Sequence, residues 1–190
     1  MVTLWIRRTR PGDLAQLMDM VERCSFETLH RRLHGATGQP IRRELHRIAN
    51  PTARHRSWVA TDGSAIRATA TLAWSSSGPP EIGVLVEDGW FRQGLGRSLW
   101  VEMAAEAERA AVPAVVARVQ ADNHGAVRFV RALAPHATAQ LDGTELEMVM
   151  PVGKMQLRIG GRRGAGIGAD RADRGLDRPP ALAIQAGDAA

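Results

Sequence analysis

The sequence predicts an α/β domain, and three features carry that expectation. Residues 81–100, E-I-G-V-L-V-E-D-G-W-F-R-Q-G-L-G-R-S-L-W, begin as a strand in which Ile82, Val84, Leu85 and Val86 are apolar and mostly β-branched. The same stretch ends as a helix, with Leu95, Leu99 and Met103 four apart on one face. Segments of helical and of strand period follow one another over residues 1–152. A chain of 190 residues that is 44% hydrophobic can bury one core and carry an appendage besides.

Taken in order, residues 2–8 alternate and form a first strand. Pro11, Gly12 and Asp13 open a helix with an apolar stripe of Leu14, Leu17, Met18 and Val21, and Asp13 lies near its start, where a carboxylate is favoured. Ser25 caps a second helix through Phe26, Leu29 and Leu33, ending near Gly35. Residues 41–48 form a third. Residues 57–61 and 66–74 pair as strands across Asp62 and Gly63, and residues 75–80 are a polar loop. Glu81 begins the central strand, and the helix after it runs from Gly94 to about Ala111. Residues 114–120 are the next apolar strand. Residues 121–133 hold an asparagine followed by a short helix, and residues 136–141 and 145–152 close the domain as a hairpin across Asp142 and Gly143. From residue 153 onward Gly, Arg, Ala and Asp dominate. Residues 153–190 hold too few large apolar side chains to offset the entropy of ordering, and are expected to be a disordered tail. Gly164 to Gly168 in that tail follow no strand and are not a phosphate loop.

Between the central strand and its helix lies the turn with Arg92, Gln93, Gly94, Leu95 and Gly96. A helix start offers unpaired N–H groups and the positive end of the helix dipole, and glycines let the backbone approach a ligand closely. Strand, turn and helix together make an anion cradle suited to a pyrophosphate. It is not a Walker A loop, since no Lys-Ser or Lys-Thr follows, and Leu99 stands where a dinucleotide fingerprint needs its third glycine.

Composition narrows the partners. A net charge of +5 and a pI of 11.0 favour anions: phosphates, acidic proteins or nucleic acid. With no Tyr and three Phe, stacking platforms for bases are lacking, which disfavours nucleic acid. His30, Arg31, Arg32, His34, Arg42, Arg43, His46, Arg47, Arg54, His55 and Arg56 form a basic cluster. It is either a solvated face or an electrostatic lip that gathers an anionic substrate. Cys24 is alone, so no intramolecular disulfide or cysteine metal cluster is available, and the six histidines show no metal spacing. No signal peptide and no apolar run of membrane-spanning length is visible, so a cytoplasmic protein without membrane attachment or bound metal is expected.

The order of motifs carries more. Val86, Asp88, Trp90, Gly94 and Gly96 fit Val-x-Pro/Asp-x-Tyr/Trp followed by Gln/Arg-x-x-Gly-x-Gly/Ala, which resembles motif A of the GNAT N-acetyltransferases; Phe91 departs from it, standing where the family has Gln or Arg. Asn123 and Ala126 resemble that family's motif B, and the family's frequent catalytic Tyr falls at Val130. The segment S-F-E-T-L-H-R-R-L, residues 25–33, resembles the entry helix of bacterial protein-lysine acetyltransferases. The resemblance implies a mixed, mostly antiparallel sheet flanked by helices, with two central strands splayed around a pantetheine arm. It implies acetyl transfer from acetyl-CoA to a primary amine, on a small molecule or a protein lysine. Val84, Leu85, Val86, Phe91, Arg92, Gln93, Gly94, Leu95, Gly96, Arg97 and Asn123 are the expected cofactor-binding residues, and Glu81 the general base. Partners are then acetyl-CoA and an amine, with a homodimer left open. The alternative is a non-catalytic acyl-CoA-binding regulatory domain, motivated by the missing Tyr and by Phe91. A nucleic-acid-binding protein is a third reading, on charge alone.

Overall fold

The computed structural model describes residues 3–33 and 39–156. Seven strands form one sheet in the order β1-β2-β3-β4-β5-β7-β6. They are β1 (Trp5–Arg8), β2 (His55–Thr61), β3 (Ile66–Ala73), β4 (Glu81–Val86), β5 (Ala114–Gln120), β6 (Thr138–Asp142) and β7 (Glu145–Pro151). Every neighbouring pair is antiparallel except β4 and β5, which are parallel. Helices α1 (Leu14–Arg23), α2 (Phe26–Leu33) and α3 (Gln39–Ala49) precede β2; α4 (Leu95–Arg109) and α5 (His124–Leu133) flank β5. The mixed, mostly antiparallel sheet flanked by helices is as expected.

Both faces of the central strands are covered, so β2 and β3 are buried over nearly continuous runs, with Ser57, Thr69 and Thr71 buried among the apolar residues. Ile6, Trp58, Ala60, Ala68, Ala70 and Ile82 pack under α4 and α5, with Leu99, Trp100 and Met103. Val59, Ile66 and Leu85 point the other way, against Leu17 and Met20 of α1 and Leu45 and Ile48 of α3. Small residues at 68 and 70 let α4 lie close to the sheet.

The basic cluster is divided among partners. Glu106, buried on α4, pairs with Arg8, Arg56 and Arg109. Arg8 also stacks over Trp58, at 4.1 Å from its ring centre, and Arg56 over Trp74 at 4.9 Å. Arg31 pairs with Glu27, and Arg47 and His55 with Glu44. Arg42, Arg43 and Arg54 stay exposed. The segment is therefore not one uniform electrostatic surface: Arg31 and Arg47 pair within their own helices, and Arg56 reaches a carboxylate distant in sequence. His34 lies outside the described residues.

The domain ends later than composition implied. After β7 the chain makes a short 3₁₀ turn, Val152–Lys154; Met155 is 8% exposed in the main core, and the Gln156 N–H donates to the Leu133 carbonyl at 2.8 Å. The expected tail start at residue 153 is corrected to this extent: a single methionine after a glycine suffices to anchor the chain where a groove waits for it. Residues 157–190 lie outside the described residues. We expect a chain ended at Gln156 to melt within a few degrees of the full protein. Ending it at Val152 should remove about 2–4 kcal/mol, as truncating a core methionine does. Thermal melts of the two truncations check this, and equal melting temperatures would contradict it.

Candidate active site

The site is built around the C-terminal half of β4. β4 and β5 meet at a single register pair, Glu81 with Val116, supported by Val116 N–H to Pro80 carbonyl at 2.9 Å. Beyond it the two strands part. Alternation along β4 follows from that bond and from Glu87 N–H to Arg67 carbonyl at 2.9 Å, which turns residue 87 towards β3. The backbone groups of Val84 and Val86 therefore face the opening, while those of Gly83 and Leu85 pair with β3. This is the expected splay, and its edge is free to bond an extended ligand as a strand would.

At the open end β4 runs through a 3₁₀ turn, Asp88–Trp90, into α4. Gly94 is the N-cap of α4 with φ 83°, in the left-handed region, and no side chain caps the helix. The first intrahelical bond is Ser98 N–H to Gly94 carbonyl, at 3.0 Å, so the N–H groups of Leu95 and Gly96 point out of the helix end. Arg92 also has positive φ, 61°, and the Gln93 amide ties the loop by donating to the Gly89 carbonyl at 2.9 Å. A Cβ at Gly96 would already touch the Phe129 ring, at 3.4 Å, so a larger branched side chain would press on it.

A carboxylate on each side of this junction holds the loop. Glu87, buried, accepts from Arg23 at 3.0 Å and Arg67 at 3.2 Å. Asp88 accepts from the Ser25 N–H at 2.8 Å, the Ser25 hydroxyl at 2.6 Å and the Thr28 hydroxyl at 2.8 Å. The Ser25 hydroxyl oxygen in turn accepts from the Thr28 N–H at 3.2 Å, so Ser25 caps α2 as expected. This tie between the entry helix and the loop is not legible from either motif alone. Burial opposes ionisation of Asp88, but the hydrogen bonds from Ser25 and Thr28 outweigh it and hold its carboxyl below the usual range. A depressed carboxyl stabilises the fold above its unfolded pKa and ceases to as pH falls through its folded one. We expect the protein to lose stability on acidification below about pH 4, and Asp88→Ala to lose about 1–2 kcal/mol at neutral pH and to flatten that acid response. Denaturant midpoints at two pH values measure both; an unchanged acid response in the variant would contradict it.

The other expected residues fall as follows. Leu85 is 5% exposed and points into the α1–α3 core, so only its backbone borders β3 and its side chain takes no part in the opening. Phe91 is 47% exposed at the loop, with Arg92 exposed beside it. Arg97 reaches the Gln156 side-chain oxygen at 3.0 Å. Asn123 caps α5, its Oδ1 accepting from the Ala126 N–H at 3.1 Å. Val130 is buried in the core, so the position of the family's tyrosine offers no proton donor.

Glu81 lies at the closed end of the splay, on the α1–α3 face of the sheet. Its carboxylate accepts from Arg118 Nη1 at 2.6 Å, and the same guanidinium donates to Glu147 at 2.8 Å. The Glu81 and Arg118 side chains are each 43% exposed, so the carboxylate is accessible. Cys24 is half-buried on the α1–α2 junction, and burial, with Asp88 and Glu87 nearby, pushes its thiol up to about 12, which makes it inert. Among the described residues no group of three His, Cys, Asp or Glu could hold a metal, and no helix is long and apolar enough to cross a membrane.

Comparison with known proteins agrees with this geometry. The model of the acetyltransferase (GNAT) family matches residues 15–134. The GNAT domain of PAT from S. lividans superposes with a TM-score of 0.67 at 18% identity, over 77% of this chain and 89% of that one. PaiA N-acetyltransferase from Thermoplasma acidophilum, solved in complex with coenzyme A, gives 0.61 at 13%, over 78% and 98%. The yncA protein of Salmonella typhimurium, solved with acetyl-CoA, gives 0.60 at 18%, over 86% and 99%. No curated protein matches the sequence.

Proposed function

Since this chain belongs to the GNAT acetyltransferase family and is an acyltransferase, we propose that it moves an acetyl group from acetyl-CoA to a primary amine by direct transfer. One observation carries the reading. The single parallel strand pair parts after one bridge and leads straight into a helix start whose N–H groups no side chain caps. An extended arm in the opening and a pyrophosphate at the helix start fit one ligand. The binding residues are then the backbone edge at Val84 and Val86, the loop from Phe91 to Arg97, and Asn123.

The chemistry needs an amine without its proton and a polarised thioester carbonyl. Glu81, accessible and held by Arg118, takes the ammonium proton directly or through water. The amine nitrogen attacks the carbonyl carbon, a C–N bond forms, the C–S bond breaks, the nitrogen gives its second proton to solvent and the thiolate takes one from solvent, since this chain has no Tyr. The acceptor is a protein lysine on the strength of the segment from Ser25 to Leu33. The test is release of CoA from acetyl-CoA with lysine peptides and with small amines. Turnover on peptides alone supports the lysine assignment, and turnover on small amines alone refutes it. The rival, a binding-only domain, draws on the buried Val130 and predicts acetyl-CoA binding without turnover on any amine.

A further inference from the structure

Resting on that acetyl-transfer reading, we propose that Arg32 is a further catalytic residue, holding the negative charge that develops on the thioester oxygen as the amine attacks. Helix α2 lies along β4 and across to β5. Asp88 ties its start, and near its end the Gln120 side chain on β5 donates to the His30 carbonyl at 3.4 Å. From the last turn of α2, Arg32 reaches Gly83 in the middle of β4. A Cβ built on Gly83 would lie 2.2 Å from Arg32 Nη2 and 2.6 Å from Cζ, so glycine is what lets the guanidinium rest against the strand. Gly83 is next to Val84, whose backbone faces the opening between β4 and β5.

The bonding of this half-buried arginine is unusual. Such a guanidinium ordinarily takes a carboxylate through two of its five donors. Arg7 does so with Asp13, and Arg67 is held by Asp62 and Glu87. Arg32 makes no ion pair among the described residues, and its one side-chain hydrogen bond there is to the Thr71 hydroxyl at 3.3 Å. Glu44 and Glu81 act on it only through space. Donors are thus left over on a half-buried positive charge that rests against Gly83, one residue from the Val84 backbone that faces the opening. Such a charge is worth most where negative charge appears during reaction.

The step balances. Nitrogen attack moves the carbonyl π electrons onto oxygen, where Arg32 hydrogen-bonds them. Their return expels the thiolate, and the amine proton leaves to Glu81 or water. With no Tyr in the chain, a fixed cation on the oxygen lowers the barrier without a proton donor.

The assay is CoA release from acetyl-CoA, with water as acceptor and with a lysine peptide, paired with calorimetry. Arg32→Gln should lower kcat about 10²–10³-fold, the usual worth of one oxyanion donor, with KM for acetyl-CoA nearly unchanged. Arg32→Lys should keep part of the rate. Gly83→Ala leaves Arg32 in place but drives its guanidinium off the strand, and should lower kcat in the same way. S-carboxymethyl-CoA carries a carboxylate one methylene from its sulfur. Its affinity should fall about tenfold or more in Arg32→Gln, by loss of a charge-assisted bond, while CoA affinity stays. Equal losses for CoA and S-carboxymethyl-CoA would mean that Arg32 only props α2, and would overturn the proposal. So would wild-type kcat in folded Arg32→Gln and Gly83→Ala. Absence of any turnover by the wild type would instead remove the acetyl-transfer reading, and this proposal with it.

Discussion

Gly94→Val is expected to abolish acetyl-CoA binding in a protein that still folds. Two effects add at this residue. Its φ of 83° is one that a β-branched side chain adopts only with strain of about 1–2 kcal/mol. Its surroundings are open, with nothing within 4 Å of an added Cβ, so the fold has room for the side chain. That open space is where a phosphate would approach the helix start, and the valine methyls would occupy it. Losing two charge-assisted hydrogen bonds of about 1.5–3 kcal/mol each predicts an affinity loss of at least about 100-fold. Gly94→Asn separates the causes, because asparagine tolerates the left-handed region: it should fold as well as the wild type and still bind weakly. Gly96→Val should also lose binding, but through the Phe129 ring that its side chain would press upon. Calorimetry giving wild-type affinity in folded Gly94→Val would remove the cradle from the mechanism.

The second large effect is expected at Glu81. Glu81→Gln keeps the shape of the side chain and removes the proton acceptor. The rate should fall about 10²–10⁴-fold, the usual worth of a positioned base. Acetyl-CoA affinity should hold, because Glu81 sits at the closed end of the splay and Gly94 beyond its open end. Raising the pH towards the amine's own pKa, about 10.4 for lysine, should restore part of the rate as more acceptor arrives deprotonated. The shared guanidinium supplies a control. Glu147→Gln also breaks one arm of the Glu81–Arg118–Glu147 bridge, so it should move the rate little if Glu81 is the base. An equal loss in both variants would assign the effect to Arg118, and an unchanged kcat in Glu81→Gln would strip Glu81 of the role.

The sequence by itself determined what depends on chain neighbours. The strand from Ile82 to Val86, the glycine that permits φ 83° and the helix that starts there are consecutive residues, and local sterics decide them. Asn123 as a cap is equally local, as is the absence of Tyr. The tertiary structure alone decided what depends on pairing. Asp88 holds Ser25 from 63 residues away, and Arg118 holds Glu81 from 37. The basic run looked like one electrostatic surface because its charges are close in sequence. Folding sent Arg56 to Glu106 and Arg32 to the Thr71 hydroxyl, since a guanidinium leaving water seeks the nearest acceptor in space. Met155 shows the same limit at the domain's end: composition averages over a segment, whereas a groove in the core takes a single side chain. That Arg32 rests on the strand at Gly83 follows from the helix that crosses it, which no window of sequence around residue 83 contains.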